Sequence, residues 1–329
     1  MSMKLAVIGA GVSGLTCAIE AQKAGHDVTV FDKGRGPGGR LSTRRIDTPA
    51  GQVRFDHGAM GFRPRSEEFA AACEVWRENG WIAPWQPRIA DHDVSGFHPR
   101  PEETHYTGIP GMNGLIKGLA SELSTQFSVR IHGLENTGNG WVLTFEDDTP
   151  DFHCDGVVCA TPAEQAQVLL KPVAPELAEN AGKAKSDPCW AIMLAYDAPL
   201  PFAYDLVFSD TGPFRRMIRN NAKPDRGSQE SWVLQSQPDW AAEHLDWPKS
   251  EIIGEALSAF KALTGATAEP LTSDAHRWLY AQIRTAAGHP ADWDNDMNIG
   301  TCGDWHIGPD IESGWMSGRI LGERLKSLA

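Results

Sequence analysis

The run Leu5-Ala6-Val7-Ile8 is apolar without alternation, the pattern of a strand buried on both faces. Residues 12–24 switch to helical spacing, with Val12, Leu15, Ala18 and Ile19 on one side. Gly25-His26 ends that helix, and Val28-Thr29-Val30-Phe31 reads as a second strand, giving a βαβ unit. From Pro64 to Tyr106 the pattern is lost among Trp, Pro, His and charge, so this stretch reads as an inserted piece. Helical spacing returns over 111–124, followed by strands at 128–134, 141–145 and 156–160. The middle, 186–285, has strand-like runs at 190–196, 206–208 and 231–235 and one long helix at 249–263, which predicts an antiparallel sheet with helices. A strand at 298–302 and a helix at 313–328 close the chain, with Trp315, Met316, Ile320, Leu321, Leu325 and Leu328 as its apolar positions. The end resembles the beginning in kind. The expected fold is therefore α/β: a Rossmann-like domain assembled from three segments, with an inserted α+β domain built on an antiparallel sheet.

Composition narrows the function classes. The 329 residues carry a formal charge of −13, which argues against a duplex nucleic acid or an anionic membrane surface as partner. Hydrophobic residues make up 41% of the chain, enough for a sizeable core. The six cysteines are scattered without a C-x-x-C pair, as in a reduced, cytoplasmic protein. The histidines show no metal-ligand spacing, so no metal is expected, and no apolar run is long enough to span a membrane.

The sharpest signal is Gly9-Ala10-Gly11-Val12-Ser13-Gly14, a G-x-G-x-x-G between the first strand and the first helix. Its glycines permit a tight turn, close approach to a pyrophosphate, and close helix–strand packing. The helix N-terminus offers free N–H groups to phosphate. Asp32 follows Gly11 by 21 residues, at the end of the second strand, where an acid accepts from ribose hydroxyls. Directly after it, Lys33-Gly34-Arg35-Gly36-Pro37-Gly38-Gly39-Arg40 forms a second glycine-dense loop with two arginines. A nicotinamide dehydrogenase has no need of this loop, whereas FAD has a longer pyrophosphate and ribityl chain for it to follow.

This opening resembles the FAD-binding segment of the flavin-containing amine oxidase superfamily, in which G-x-G-x-x-G is followed by an acid and then G-G-R. Asp56-His57-Gly58-Ala59 is similar to its D-x-G-A segment near the flavin ring, and Val158-Cys159-Ala160-Thr161-Pro162 to its strand-ending A-T-P. Arg130-Ile131 stands where such proteins bring a strand past the adenine, and Cys302-Gly303-Asp304 with Glu312-Ser313-Gly314-Trp315 resembles the C-terminal flavin motif. The resemblance implies non-covalent FAD held by Gly9, Gly11, Val12, Ser13, Gly14, Asp32, Lys33, Gly39, Arg40, Gly58, Ala59, Ile131, Ala160, Gly303, Asp304, Ser313, Gly314 and Trp315. Asp304 is expected on the ribityl or phosphate region, and backbone N–H groups around Gly314-Trp315 on flavin N1 and O2. The implied FAD-binding domain comprises 1–62, 108–165 and 291–329, and the substrate domain 63–107 and 166–290.

Within the superfamily, Asp32-Lys33-Gly34-Arg35-Gly36, His276-Arg277-Trp278-Leu279-Tyr280-Ala281, Cys302-Gly303-Asp304-Trp305, Ser313-Gly314-Trp315-Met316-Ser317-Gly318 and Arg219-Asn220 with Lys223-Pro224 resemble bacterial renalases. That likeness implies an oxidase that takes a hydride at flavin N5 from 2- or 6-dihydro isomers of NAD(P)H, returns NAD(P)+ and reduces dioxygen to hydrogen peroxide. Met60-Gly61-Phe62 and Ser313-Gly314 depart from the family pattern near the flavin face. Site candidates are His276, Trp278, Tyr280, Asn220 and Trp305. Trp278 and Tyr280 alternate on one strand and so share a face for stacking a flat ring; His276 is read either as a carboxamide partner or as a structural histidine. Arg215, Arg216, Arg219 and Lys223 form a local basic cluster, read equally as a guide for substrate phosphates or as solvated surface. Two other readings stay open. One is an amine oxidase, which in this superfamily usually carries a lysine bridged by water to the flavin; the other is a flavin-binding protein without turnover.

Overall fold

The computed structural model describes residues 2–328. The first strand, Lys4–Ile8, lies inside a six-stranded sheet in the order 292–294, 299–301, 156–159, 4–8, 27–32, 124–127. All neighbours are parallel except the edge strand 292–294. Leu5, Ala6 and Val7 are wholly buried, as their unbroken apolar run requires.

The two ends of the chain meet beside this sheet. Helices Val12–Lys23 and Ile311–Lys326 pack along a strip of glycines, Gly314, Gly318 and Gly322, spaced one helical turn apart. A Cβ on Gly318 would overlap the Ser13 carbonyl oxygen, and one on Gly322 would lie 2.5 Å from Glu20 Cβ. The last helix starts two residues earlier than its apolar spacing predicts, because Asp310 caps it, accepting the Ser313 N–H at 2.8 Å.

The strand expected at 128–134 is two strands. Ser124–Phe127 completes the parallel sheet, and Ile131–Asn136 opens a three-stranded antiparallel sheet with 141–145 and 152–154. The break falls at Ser128, whose φ is +61°. The stretch 64–106 is also ordered. Ser66 caps a helix over Glu67–Glu78, which buries Phe69, Cys73 and Trp76. Ile89–Asp93 and Gly96–Pro99 join the edge of the second large sheet.

That second sheet has seven strands in the order 272–285, 185–195, 231–236, 214–219, 206–209, 89–93, 96–99, antiparallel except between 206–209 and 89–93. Trp190, Ile192, Leu194, Trp232 and Phe260 form a core with the helices Pro238–Glu243 and Lys249–Thr264. The opposite face is divided. Met193, Val233, Ile218, Leu206 and Ile89 form an apolar row under Val53 and Phe55 of the hairpin 44–55. The neighbouring row is His276, Ala191, Gln235 and Arg216, matched across four strands.

Candidate active site

Gly9 adopts φ +114°, and a Cβ there would sit 2.7 Å from Ala160 O, so only glycine serves. Ala160 in turn packs under Gly14, and its N–H donates to Ile8 O at 2.8 Å. Gly11, by contrast, has open space where its side chain would be. It begins a helix whose first turn, Val12-Ser13-Gly14, is buried and has no side-chain cap and no acidic residue. Such a helix end carries unpartnered N–H donors and the positive end of the helix dipole, and so suits an anion.

Asp32 is not free to serve ribose alone. One carboxylate oxygen accepts the Ala10 N–H at 2.8 Å and the other accepts the Gly34 N–H at 2.6 Å, tying the two glycine loops together. The chain then passes close to Asp32: Ser128 N–H donates to Gly34 O and Val129 N–H to Asp32 O. Val129 and Ile131 pack on the apolar cluster beneath. Lys33 donates to Gln165 at 3.0 Å.

Gly39 approaches within 4.0 Å of Gly11, measured from the position of an added Cβ. Arg40 pairs with Asp304 at 2.6 Å, joining the second glycine loop to the C-terminal motif. Gly303 lies against the Trp305 indole, and its N–H donates to Ser317 Oγ at 2.9 Å. Ser313, Gly314 and Trp315 all fall inside the last helix. The Gly314 N–H donates to Asp310 O at 3.1 Å, so the expected free donor there is already engaged. The helix end is instead at Ile311. The residue beside it, Glu312, is buried and accepts the Arg65 and Ser66 N–H groups.

On the other side, Gly58 presses on Arg40, leaving no room for a side chain, and Ala59 N–H donates to Arg40 O at 2.8 Å. The Trp278 indole N–H donates to His57 O at 2.9 Å. The Trp278 ring stacks on His57 with 5.2 Å between centroids, and His276 meets Trp278 edge-on at 4.4 Å. His276 and Trp278 pair with Ala191 and Cys189 of the neighbouring strand, whereas Tyr280, also half-buried, falls in a register irregularity between Trp278 and Gln282. Gln235 reaches the same place, donating to Gly58 O at 2.5 Å. Burial, reinforced by His276 and Arg44, pushes His57 down to about 4; burial also lowers His276. Both rings are therefore neutral at pH 7.

Two expected site residues are displaced from this face. Asn220 is wholly buried. Its side chain accepts the Asp56 N–H at 3.2 Å and donates to Arg54 O at 2.6 Å, so it holds a strand and does not face a substrate. Trp305 is wholly buried among apolar residues of the first sheet, donating to Thr161 O at 3.1 Å and stacked on His306. Trp190 is likewise core. The basic cluster is also divided. Lys223 and Arg226 both bind the buried Asp56, at 3.1 and 2.7 Å, and Arg219 lies beside Asp205 and Glu230. Against burial, Lys223 and Arg226 hold Asp56 down to about 2. His57 and Gln235 were missed. His57 lay inside the D-x-G-A segment, whereas the glutamine gave no local signal.

One further cluster, His289, Asp292 and His306, has ligand-type atoms within 4.8 Å of one another. Both ring nitrogens of His306 are engaged, with Thr301 Oγ1 at 3.0 Å and His289 O at 3.1 Å, so the cluster is closed by hydrogen bonds. Burial also pushes His306 down to about 4. Stability is therefore expected to fall as the pH drops from 6.5 through about 4, where unfolded histidines bind protons that His57 and His306 do not. His57→Asn should flatten the plot of melting temperature against pH in that window. An unchanged slope would show that His57 titrates normally.

Residues 7–78 match the NAD(P)-binding Rossmann-like domain, and residues 96–297 match the family described as flavin containing amine oxidoreductase. The chain belongs to the flavin-containing amine oxidoreductase family. The uncapped helix, the open Gly11 and the Arg40–Asp304 pair fit a flavin dinucleotide. Solved structures share the fold. A candidate protoporphyrinogen oxidase from Exiguobacterium sp. 255-15 superposes with TM-score 0.80 at 12% identity, over 100% of both chains. Cyclohexylamine oxidase from Brevibacterium oxydans IH-35A gives 0.78 at 11% identity, over 100% of this chain and 99% of that one. In sequence, 45 residues are 49% identical to 4,4'-diapophytoene desaturase of Staphylococcus aureus strain Newman; they span 14% of this chain and 9% of the relative. Among the described residues no helix is long and apolar enough to cross a membrane.

Proposed function

We propose that this oxidoreductase oxidises a dihydronicotinamide, the 2- or 6-dihydro isomer of NAD(P)H, with non-covalent FAD as cofactor and dioxygen as the final acceptor. Segments 1–62, 108–165 and 291–329 would hold FAD, and 63–107 and 166–290 the substrate. The first glycine loop and uncapped helix would hold the pyrophosphate, Arg40 and Asp304 the neighbouring chain, and Gly58-Ala59 the ring side. FAD held there would supply a two-electron acceptor for the hydride and, with one proton from solvent, the means of reducing dioxygen to hydrogen peroxide.

The observation that carries this reading is the uncharged flat face of His57, His276 and Trp278 beside Gly58. Loss of a hydride from a dihydropyridine leaves a cationic pyridinium without removing a proton from carbon, so no general base is needed. Neutral imidazoles do not repel that cation, and an indole face attracts it. The Trp278 N–H bond to His57 fixes the ring plane against which a nicotinamide would stack. An amine substrate would call for a lysine at this face, but the fully buried Lys223 is engaged by Asp56. Cys302 is buried, and the neighbouring Cys17 thiol together with burial raises its pKa, which keeps it a neutral thiol and favours a non-covalent cofactor.

The test is anaerobic mixing of the holoprotein with each dihydro-NAD isomer and with simple amines. The flavin absorbance should bleach rapidly with the 2- or 6-dihydro isomer and poorly with ordinary 4-dihydro-NADH. Bleaching by an amine alone would assign an amine oxidase, and bleaching by neither a protein without turnover.

A further inference from the structure

We infer that Arg215 and Arg216 form a paired anion site for a phosphate group of the substrate, contiguous with the His276–Trp278 face; as a substrate subsite it rests on the dihydronicotinamide reading.

Backbone register creates the pair. Strand 214–219 aligns Phe214 with Ser236 and Arg216 with Gln235, so Arg215 is an extra residue in a bulge. Bulges re-aim side chains, and here both arginines reach the site side of the sheet. Arg215 donates to Gln282, which pairs with Asp187, on the same side of its strand as the Cys189 and Ala191 partners of Trp278 and His276. Arg216 reaches Gln235 at 3.4 Å, and the same Gln235 side chain binds Gly58 O. One glutamine therefore separates a guanidinium from the segment expected at the flavin ring.

Charge then distinguishes these two from their neighbours. In the same basic stretch, Arg219, Lys223 and Arg226 all have carboxylate partners. Among the described residues, Arg215 and Arg216 have none. Arg216 Nε is buried and makes no hydrogen bond. Burial, together with Arg215, pulls the Arg216 guanidinium down to about 10, and the one group opposing this is the Cys189 thiol. A cation withdrawn from water without an anion is unfavourable, and a ligand oxyanion supplies what the fold omits. Two adjacent guanidinium forks suit the two charges and several oxygens of a phosphate better than a single carboxylate.

The melting temperature of the FAD-loaded protein, titrated with inorganic phosphate against chloride of equal ionic strength, tests the site itself. Phosphate should raise it saturably, with apparent affinity about 10- to 100-fold weaker in the Arg215→Gln/Arg216→Gln variant. An equal response in wild type and variant, or an equal response to acetate, would overturn the proposal. Without phosphate, Arg216→Met should melt at or above the wild-type temperature, because it removes a partly buried charge that has no carboxylate partner. A marked drop would mean that the guanidinium supports the fold, and would also overturn the proposal. Oxidised nicotinamide mononucleotide and the phosphate-free riboside, followed by flavin absorbance, test the link to substrate. The mononucleotide should bind more tightly, and only while both arginines are present. Arginine-dependent phosphate binding with no binding of either nicotinamide would leave the anion site standing and refute the nicotinamide reading.

Discussion

Asp56→Asn is expected to destabilise the folded chain by about 3–5 kcal/mol, much of a typical total of about 5–15 kcal/mol. Asp56 is wholly buried, and one of its oxygens takes both Lys223 and Arg226. The other accepts the Met112 N–H at 2.8 Å and the Thr43 hydroxyl at 2.9 Å. The carboxylate thus joins Thr43, just after the second glycine loop, to the start of helix 113–120 and the 220–226 turn. Neutralising it strands two cations. Burial already pushes Lys223 down to about 8 against the pull of Asp56, so without the carboxylate the lysine sheds its proton. Because the folded acid titrates near 2 and an unfolded one near 3.8, the wild-type protein keeps this contribution above pH 4 and loses it as the pH falls toward 2. Urea unfolding at pH 7 measures the difference, and a loss below about 1 kcal/mol would mean that the cations find other partners.

Trp278→Ala is expected to slow anaerobic flavin reduction by about 100-fold while leaving FAD content unchanged. The indole touches His57 and His276 and is anchored by one hydrogen bond to a backbone carbonyl, so its removal deletes the orienting wall and spares the glycine loops. Trp278→Phe keeps a flat ring without the anchor and should recover part of the rate. Stopped-flow absorbance with the 2- and 6-dihydro isomers checks both. Loss of FAD together with the rate would make Trp278 a cofactor support; an unchanged rate would remove it from the substrate's path.

What the sequence disclosed follows how local each signal is. The first strand, the glycine motif and the likeness of the two ends were legible because an apolar run and a glycine spacing need no distant partner. The strands at 89–93 and 96–99 were not: they are short, carry histidine and proline, and gain meaning only once 89–93 pairs with 206–209, more than a hundred residues on, and 96–99 folds back beside it. The helix at 67–78 did leave a signal, a serine cap followed by Phe69, Cys73 and Trp76 at helical spacing, masked by its charged surroundings. Asn220 and Trp305 were misplaced for a common reason. Residue type marks a polar or aromatic side chain as useful, but only packing shows that its hydrogen bonds already belong to the backbone. The four basic residues read as one patch divide by partner: two are neutralised or flanked by buried acids, and two have only glutamine partners.

The glycine-lined contact between the first and last helices sets a timetable for synthesis. A ribosome adding roughly 5–20 residues per second leaves some 15–60 s between completing residue 23 and reaching residue 311. For nearly all of that interval the first glycine loop lacks Asp304, and throughout it lacks the helix that packs on Ser13. A ribosome stalled before residue 304 therefore holds a chain in which neither of these contacts can form.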